Sequence, residues 1–124
     1  MNVVDSSGGL EYLVAGPSAD FFAGAVDATA ELLVPTSSLY EVFKRVLQQR
    51  DEGDAPQVMA LMQQRRVVDL TSSSSLNAAH LSVKHGLRMA DSVMLATAEI
   101  HESTLWTQAA HFGGLSGVRF KAKV

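Results

Sequence analysis

The chain has 124 residues, 47% of them hydrophobic and 19% charged, with a formal net charge of −3. That balance belongs to a soluble globular domain large enough to bury a core, and the sign of the charge offers no global attraction to nucleic acid. There is no cysteine, which excludes a disulfide scaffold and a cysteine-ligated zinc site and fits a reducing cytoplasm.

Residues 2–4, Asn-Val-Val, read as a short buried strand that stops on Asp5. No basic stretch followed by an apolar run opens the chain and no apolar segment reaches bilayer length, so the expectation is a cytoplasmic protein with no membrane partner. Gly8 and Gly9 follow where a helix should begin. They read as a flexible start to it, or more weakly as a place for a phosphate to approach the backbone. Residues 18–30, SADFFAGAVDATA, read as a helix weakened by Gly24. Residues 31–35, ELLVP, read as a second strand, stopped by Pro35.

From Leu39 the apolar positions Val42, Phe43, Val46 and Leu47 complete the stripe of an amphipathic helix. Residues 56–64 give another through Val58, Leu61 and Met62, and RRVVDL, residues 65–70, reads as a third strand. The serine run at 71–75 marks a loop entering a helix, with hydroxyls suited to an N-cap, and that helix ends at Gly86. Residues 89–100 form a further helix, STLW at 103–106 a fourth strand, and GVRFKAK at 117–123 an alternating edge strand. Trp106, Phe112, Phe21 and Phe22 read as core or dimer contacts.

Short apolar strands alternating with helices predict an α/β fold, a mostly parallel sheet of about five strands covered on both faces, with residues 1–124 as a single domain. In such a sheet the carboxyl ends of the strands form the ligand edge. Asp5 lies there. Glu41, on the helix after the second strand, and Asp91, at the head of a later helix, follow boundaries on the same side. Each acid also has a plain structural role. Ser38-x-x-Glu41 matches a capping box, Glu41 and Arg45 make a favourable helical pair, and Asp91 in a first turn complements the helix dipole. If the three converge, two carboxylates ~5 Å apart repel by roughly 3 kcal/mol at an effective dielectric of about 20. A hard divalent cation, Mg2+ or Mn2+, relieves this. Lys44, Arg45 and Arg88 stand near these acids in sequence and could steer an RNA backbone. His111 could ligate a metal or shuttle a proton, but beside Phe112 in a loop it reads more readily as a structural or solvated residue.

The stretches MNVVDSS, SSLYEVFKRV, MADSVMLATAEIH and LWTQAAHFGGL, in this order and spacing, resemble the PIN domain, in particular the VapC-type toxins of toxin–antitoxin pairs. The resemblance implies a three-layer α/β/α sandwich and a Mg2+- or Mn2+-dependent ribonuclease. It also implies a homodimer held inactive by a cognate antitoxin. Residue by residue, Asp5, Glu41 and Asp91 match the first three family acids, catalytic and metal-binding. Ser6 matches the hydroxyl residue after the first acid, and Thr107 the threonine of a late T-x-D pattern. At the aspartate of that pattern this chain has Ala109, which offers no oxygen ligand. Three readings remain open: three acids suffice, the chain is a degenerate binding module, or alanine was introduced in place of aspartate. A phospho-receiver domain would need more acids after the first strand, and a haloacid-type phosphatase would need D-x-D there.

Overall fold

The computed structural model describes residues 1–49 and 55–123. Five strands, β1 (Asn2–Val4), β2 (Leu32–Pro35), β3 (Arg66–Val68), β4 (Thr104–Thr107) and β5 (Val118–Phe120), form one sheet in the order β3-β2-β1-β4-β5. Every neighbouring pair is parallel. Among the described residues six helices connect and cover them: α1 (Ser6–Leu13), α2 (Ala19–Val26), α3 (Thr36–Gln49), α4 (Ala55–Gln63), α5 (Ser72–His85) and α6 (Met89–Ile100).

Strand alternation builds the layers. Val3 pairs in register with Leu33 and Leu105, and these three side chains pack with Ala78 and Leu81 of α5 and Met94 and Leu95 of α6. The intervening residues, Leu32, Val34 and Trp106, pack on the opposite face with Phe22, Ala25 and Val26 of α2. Both faces of the central strands β1, β2 and β4 are thus buried, which is why they read as continuous apolar runs rather than as alternating ones. A smaller cluster of Val42, Val46 and Val58 joins α3 to α4. The architecture is the three-layer α/β/α sandwich expected.

Several boundaries differ from the sequence reading. The third and fifth strands are shorter than 65–70 and 117–123 because they are edge strands with one neighbour each. The serines at 72–75 lie inside α5 rather than in a loop; only Thr71 is the cap, in a reciprocal capping box with Ser74. Gly86 ends α5 at φ 66°, a left-handed backbone that glycine adopts freely. The segment 18–30 is helical only through Val26 and closes in a 3-10 turn at Thr29–Glu31. Gly8 is neither a flexible start nor a phosphate cradle. A Cβ there would lie 2.4 Å from the Phe22 ring, so the glycine lets α1 pack against α2. Of the four aromatic residues read as core or dimer contacts, Phe22 and Phe112 are fully buried and Trp106 nearly so, while Phe21 is partly buried against the same cluster. Among the described residues no helix is long and apolar enough to cross a membrane.

Because all five strands are parallel, their carboxyl ends share one edge. Asp5 directly follows β1, β4 ends at Thr107, and β2 runs without a loop into α3, which carries Glu41.

Candidate active site

Asp5 is the N-cap of α1. Its extended backbone (φ −65°, ψ 161°) turns the carboxylate back over the first turn, where Oδ1 accepts from the Gly8 N–H at 2.7 Å. Oδ2 accepts from the Thr107 hydroxyl at 2.5 Å. That hydroxyl also accepts from the Ala109 N–H at 3.0 Å. With its lone pair so engaged, its proton is directed at Asp5, and a short three-residue relay fixes the carboxylate to the end of β4. Asp5 is 5% exposed. Burial raises its pKa above the ordinary 3.8, opposed by the hydrogen bonds from Thr107 and Gly8 and reinforced by the charges of Asp91 and Glu41.

Glu41 is the sixth residue of α3, one turn later than the sequence suggests, because the helix begins directly at Thr36. Its Oε1 accepts from the Ser6 hydroxyl at 2.8 Å. The capping-box reading does not hold: the buried Ser38 hydroxyl turns inward to the Met94 sulfur at 3.5 Å. Nor do Glu41 and Arg45 form an ion pair among the described residues. Ser6 therefore ties the second acid to the residue next to the first.

Asp91 is the third residue of α6, an acid in its first turn. Oδ2 lies 2.8 Å from His111 Nε2 and 3.6 Å from Arg88 Nε. His111 reaches it from a 3-10 turn, Ala110–Phe112, that starts at Ala109. His111, read as a structural or solvated residue with a ligand or proton-shuttle role as the alternative, has its ring hydrogen-bonded to the third acid.

Asp5, Glu41 and Asp91 all line one open cavity of about 510 Å³ at the strand-end edge, together with Ser6, Ala109 and His111. Arg45 and Arg88 also reach its wall, but Lys44 does not; its ammonium lies 5.7 Å from the Tyr40 ring centre instead. Sequence reasoning missed Gln108 and Lys123, which line the same cavity. Gln108 is 6% exposed and donates to the Ser7 hydroxyl at 2.9 Å, an association across the chain that no local pattern announces. The acids offer hard oxygen donors suited to Mg2+ or Mn2+. Glu41 and Asp91 each keep a carboxylate oxygen with no hydrogen-bond partner among the described residues. In the present geometry no three acidic or histidine side chains among the described residues close into a single ligand cluster.

The fold and this carboxylate-lined edge define an α/β domain with its site at the strand ends. A profile of the PIN domain matches residues 3–112. The chain belongs to the PIN domain family. Among solved structures it is similar to a toxin-antitoxin complex from Klebsiella pneumoniae, at 16% identity and a TM-score of 0.83 over 96% of each chain. It is also similar to VapBC2 from Rickettsia felis bound to a DNA fragment from their promoter, at 12% identity and TM-score 0.71 over 98% of this chain and 97% of that one. FitAcB from Neisseria gonorrhoeae matches at 14% identity and TM-score 0.68 over 97% and 96%. At these identities the likeness is one of fold. Comparison with curated proteins finds no match.

Proposed function

We propose that this chain is the VapC-like ribonuclease toxin of a toxin–antitoxin pair, a metal-dependent hydrolase of RNA phosphodiester bonds. The observation that carries this reading is that Asp5, Glu41 and Asp91, from three separate parts of the chain, all line one open cavity. Family membership and the toxin–antitoxin complexes among the structural neighbours support it.

Asp5, Glu41 and Asp91 would hold Mg2+ or Mn2+, which when bound supplies positive charge to a phosphodiester and to its attacking and departing oxygens. The protein's part is positional. Thr107 and Gly8 fix Asp5, Ser6 fixes Glu41, and His111 holds Asp91. Arg45 and Arg88 on the cavity wall hold the RNA backbone. No cysteine is present, and Ser6 faces a carboxylate rather than a histidine, so neither offers an activated protein nucleophile; in this reading water attacks the phosphorus as the bond to the 3′-oxygen breaks, leaving a 5′-phosphate and a 3′-hydroxyl. An antitoxin arginine fits the same cavity, since a guanidinium pairs bidentately with carboxylates. The active chain is a cytoplasmic homodimer.

Ala109 favours a second reading, in which the chain binds RNA or a partner and cleaves poorly. Its methyl lines the cavity where the family pattern has an acid. One experiment separates the two: cleavage of an end-labelled single-stranded RNA in Mn2+ by the unaltered chain and by Ala109→Asp. Cleavage by both, abolished by EDTA and leaving 5′-phosphate ends, is expected for the first reading. RNA binding without cleavage, with cleavage gained in Ala109→Asp, selects the second. Cleavage that survives EDTA or yields a 2′,3′-cyclic phosphate overturns the mechanism.

A further inference from the structure

We infer that a second cavity, beneath α1, is a binding site for a small uncharged apolar molecule of about benzene size. It lies behind the acid-lined cavity and shares a wall with it. Its occupancy requires neither a metal nor RNA cleavage.

Three observations carry the inference. The first is size. A cavity of about 160 Å³ lies between α1, β2, α3 and α4. Protein interiors leave few voids larger than a water molecule, and an apolar cavity of about 150 Å³ is large enough to take up benzene. The second is the origin of the space. Ser6, Gly9, Tyr12 and Leu13, three and four residues apart, form the face of α1 that lines the cavity. Gly9 stands in the middle of that face, and a Cβ there would meet nothing within 4 Å. The facing wall includes Leu33 and Val34 of β2 and Val42 of α3, all buried. A helix face that packs over the sheet thus lacks its central side chain, and the space that side chain would fill is left open.

The third is the chemistry of the lining. Its polar side chains already have partners within the chain. Asp5 accepts from Gly8 and Thr107, and Ser6 donates to Glu41. Ser38 donates to the Met94 sulfur, Tyr12 to Asp27, and Arg65 to the Leu61 carbonyl. A polar ligand would give up its hydrogen bonds to water with little to replace them. An apolar one gains dispersion contacts with aliphatic walls that otherwise face empty space. Leu61, 47% exposed, stands where the cavity opens to solvent. Asp5 and Ser6 line both cavities, so an occupant rests against the first turn of α1, behind the acid-lined cavity.

The test titrates the metal-free full chain with benzene. The amide signals of Gly9, Val34 and Val42 in ¹H–¹⁵N NMR spectra are expected to shift and saturate. The melting temperature should rise by about 3 °C or more at a benzene concentration about ten times its Kd. Phenol, which adds one hydroxyl, is expected to bind more weakly by about tenfold or more. Gly9→Leu fills the cavity from the helix side and Val42→Phe from the opposite wall. Each is expected to abolish the benzene response, and circular dichroism identifies a variant that fails to fold, leaving the other to decide. Val83→Ala, at a position 88% exposed and outside the cavity, should keep the full response. The absence of a saturable response in the unaltered chain, or a full response in a folded Gly9→Leu or Val42→Phe, would overturn the inference. Equal affinity for phenol and benzene would overturn the apolar assignment.

Discussion

At Asp5 two demands on one carboxylate pull in opposite directions. A role at a cation or phosphate needs the charged form, and the Gly8 and Thr107 donors favour it. Burial and the neighbouring charges of Glu41 and Asp91 oppose it more strongly, and the pKa ends above 3.8. The sign of the consequence follows from linkage. A carboxylate whose folded pKa exceeds its unfolded value contributes a stability that is fully present below the unfolded value and is lost as pH rises through the folded one. Asp5→Asn keeps the shape and an acceptor for Gly8, and its amide can donate to Thr107. In the absence of divalent ions it is expected to melt higher than the unaltered chain at neutral pH. The advantage should shrink as pH falls toward 3.8. Paired thermal melts across that range check this, and a variant that melts lower at neutral pH would show that Asp5 is better solvated than its surroundings indicate. The same variant should lose metal-dependent cleavage, since stability and function compete for one group.

Elements show how much of the fold the sequence made legible, and where local pattern misled. The central strands were readable because burial on both faces leaves no polar alternation, and α5 because Thr71 and Gly86 mark its ends. Ser38-x-x-Glu41 reads as a cap only if a loop precedes it. β2 passes straight into α3, so Ser38 falls inside the helix and Glu41 is free to face the site. The adjacent glycines of α1 look equivalent in sequence, yet their environments differ because α2 crosses only one of them. A Cβ on Gly8 would lie 2.4 Å from a fully buried Phe22 ring, itself held at 5.0 Å from Phe21, while one on Gly9 meets nothing within 4 Å. Gly8→Ala is therefore expected to destabilise by about 1–3 kcal/mol. Gly9→Ala should stabilise by up to about 1 kcal/mol, through helix propensity alone. Urea denaturation of the two variants measures both, and equal effects would mean that the α1–α2 contact relaxes freely. Thr71→Ala, which removes the α5 capping box, should cost about 1 kcal/mol in the same assay.

The site as a whole could be anticipated only in part, because its members come from five separate segments: Asp5 and Ser6, Glu41 and Arg45, Arg88 and Asp91, the stretch 108–111, and Lys123. Acids at helix starts could be suspected from sequence. His111 drew notice only through its place next to the late T-x-D pattern, and Gln108 and Lys123 not at all, since their approach depends on the turn after β4 and on the path of the chain beyond β5. This assembly also sets how the molecule would meet RNA. A net charge of −3 provides no attractive field, so association must draw on the cations at the cavity, Arg45, Arg88 and Lys123. Arg88 is partly offset by Asp91 at 3.6 Å. Each phosphate neutralised on a single strand contributes about 0.7 to the slope of log affinity against log salt. Three contacts therefore set a ceiling near a slope of about −2. Filter binding of a short single-stranded RNA, at constant Mn2+ and varied KCl, is expected to give a slope no steeper than this. Arg45→Gln should reduce it by about 0.7, with a uniform loss of affinity across RNA sequences. Lys44→Gln should change neither, because Lys44 lies outside the cavity. A much steeper slope, or one that responds to Lys44 and not to Arg45, would place the RNA on another face of the molecule and separate binding from the three acids.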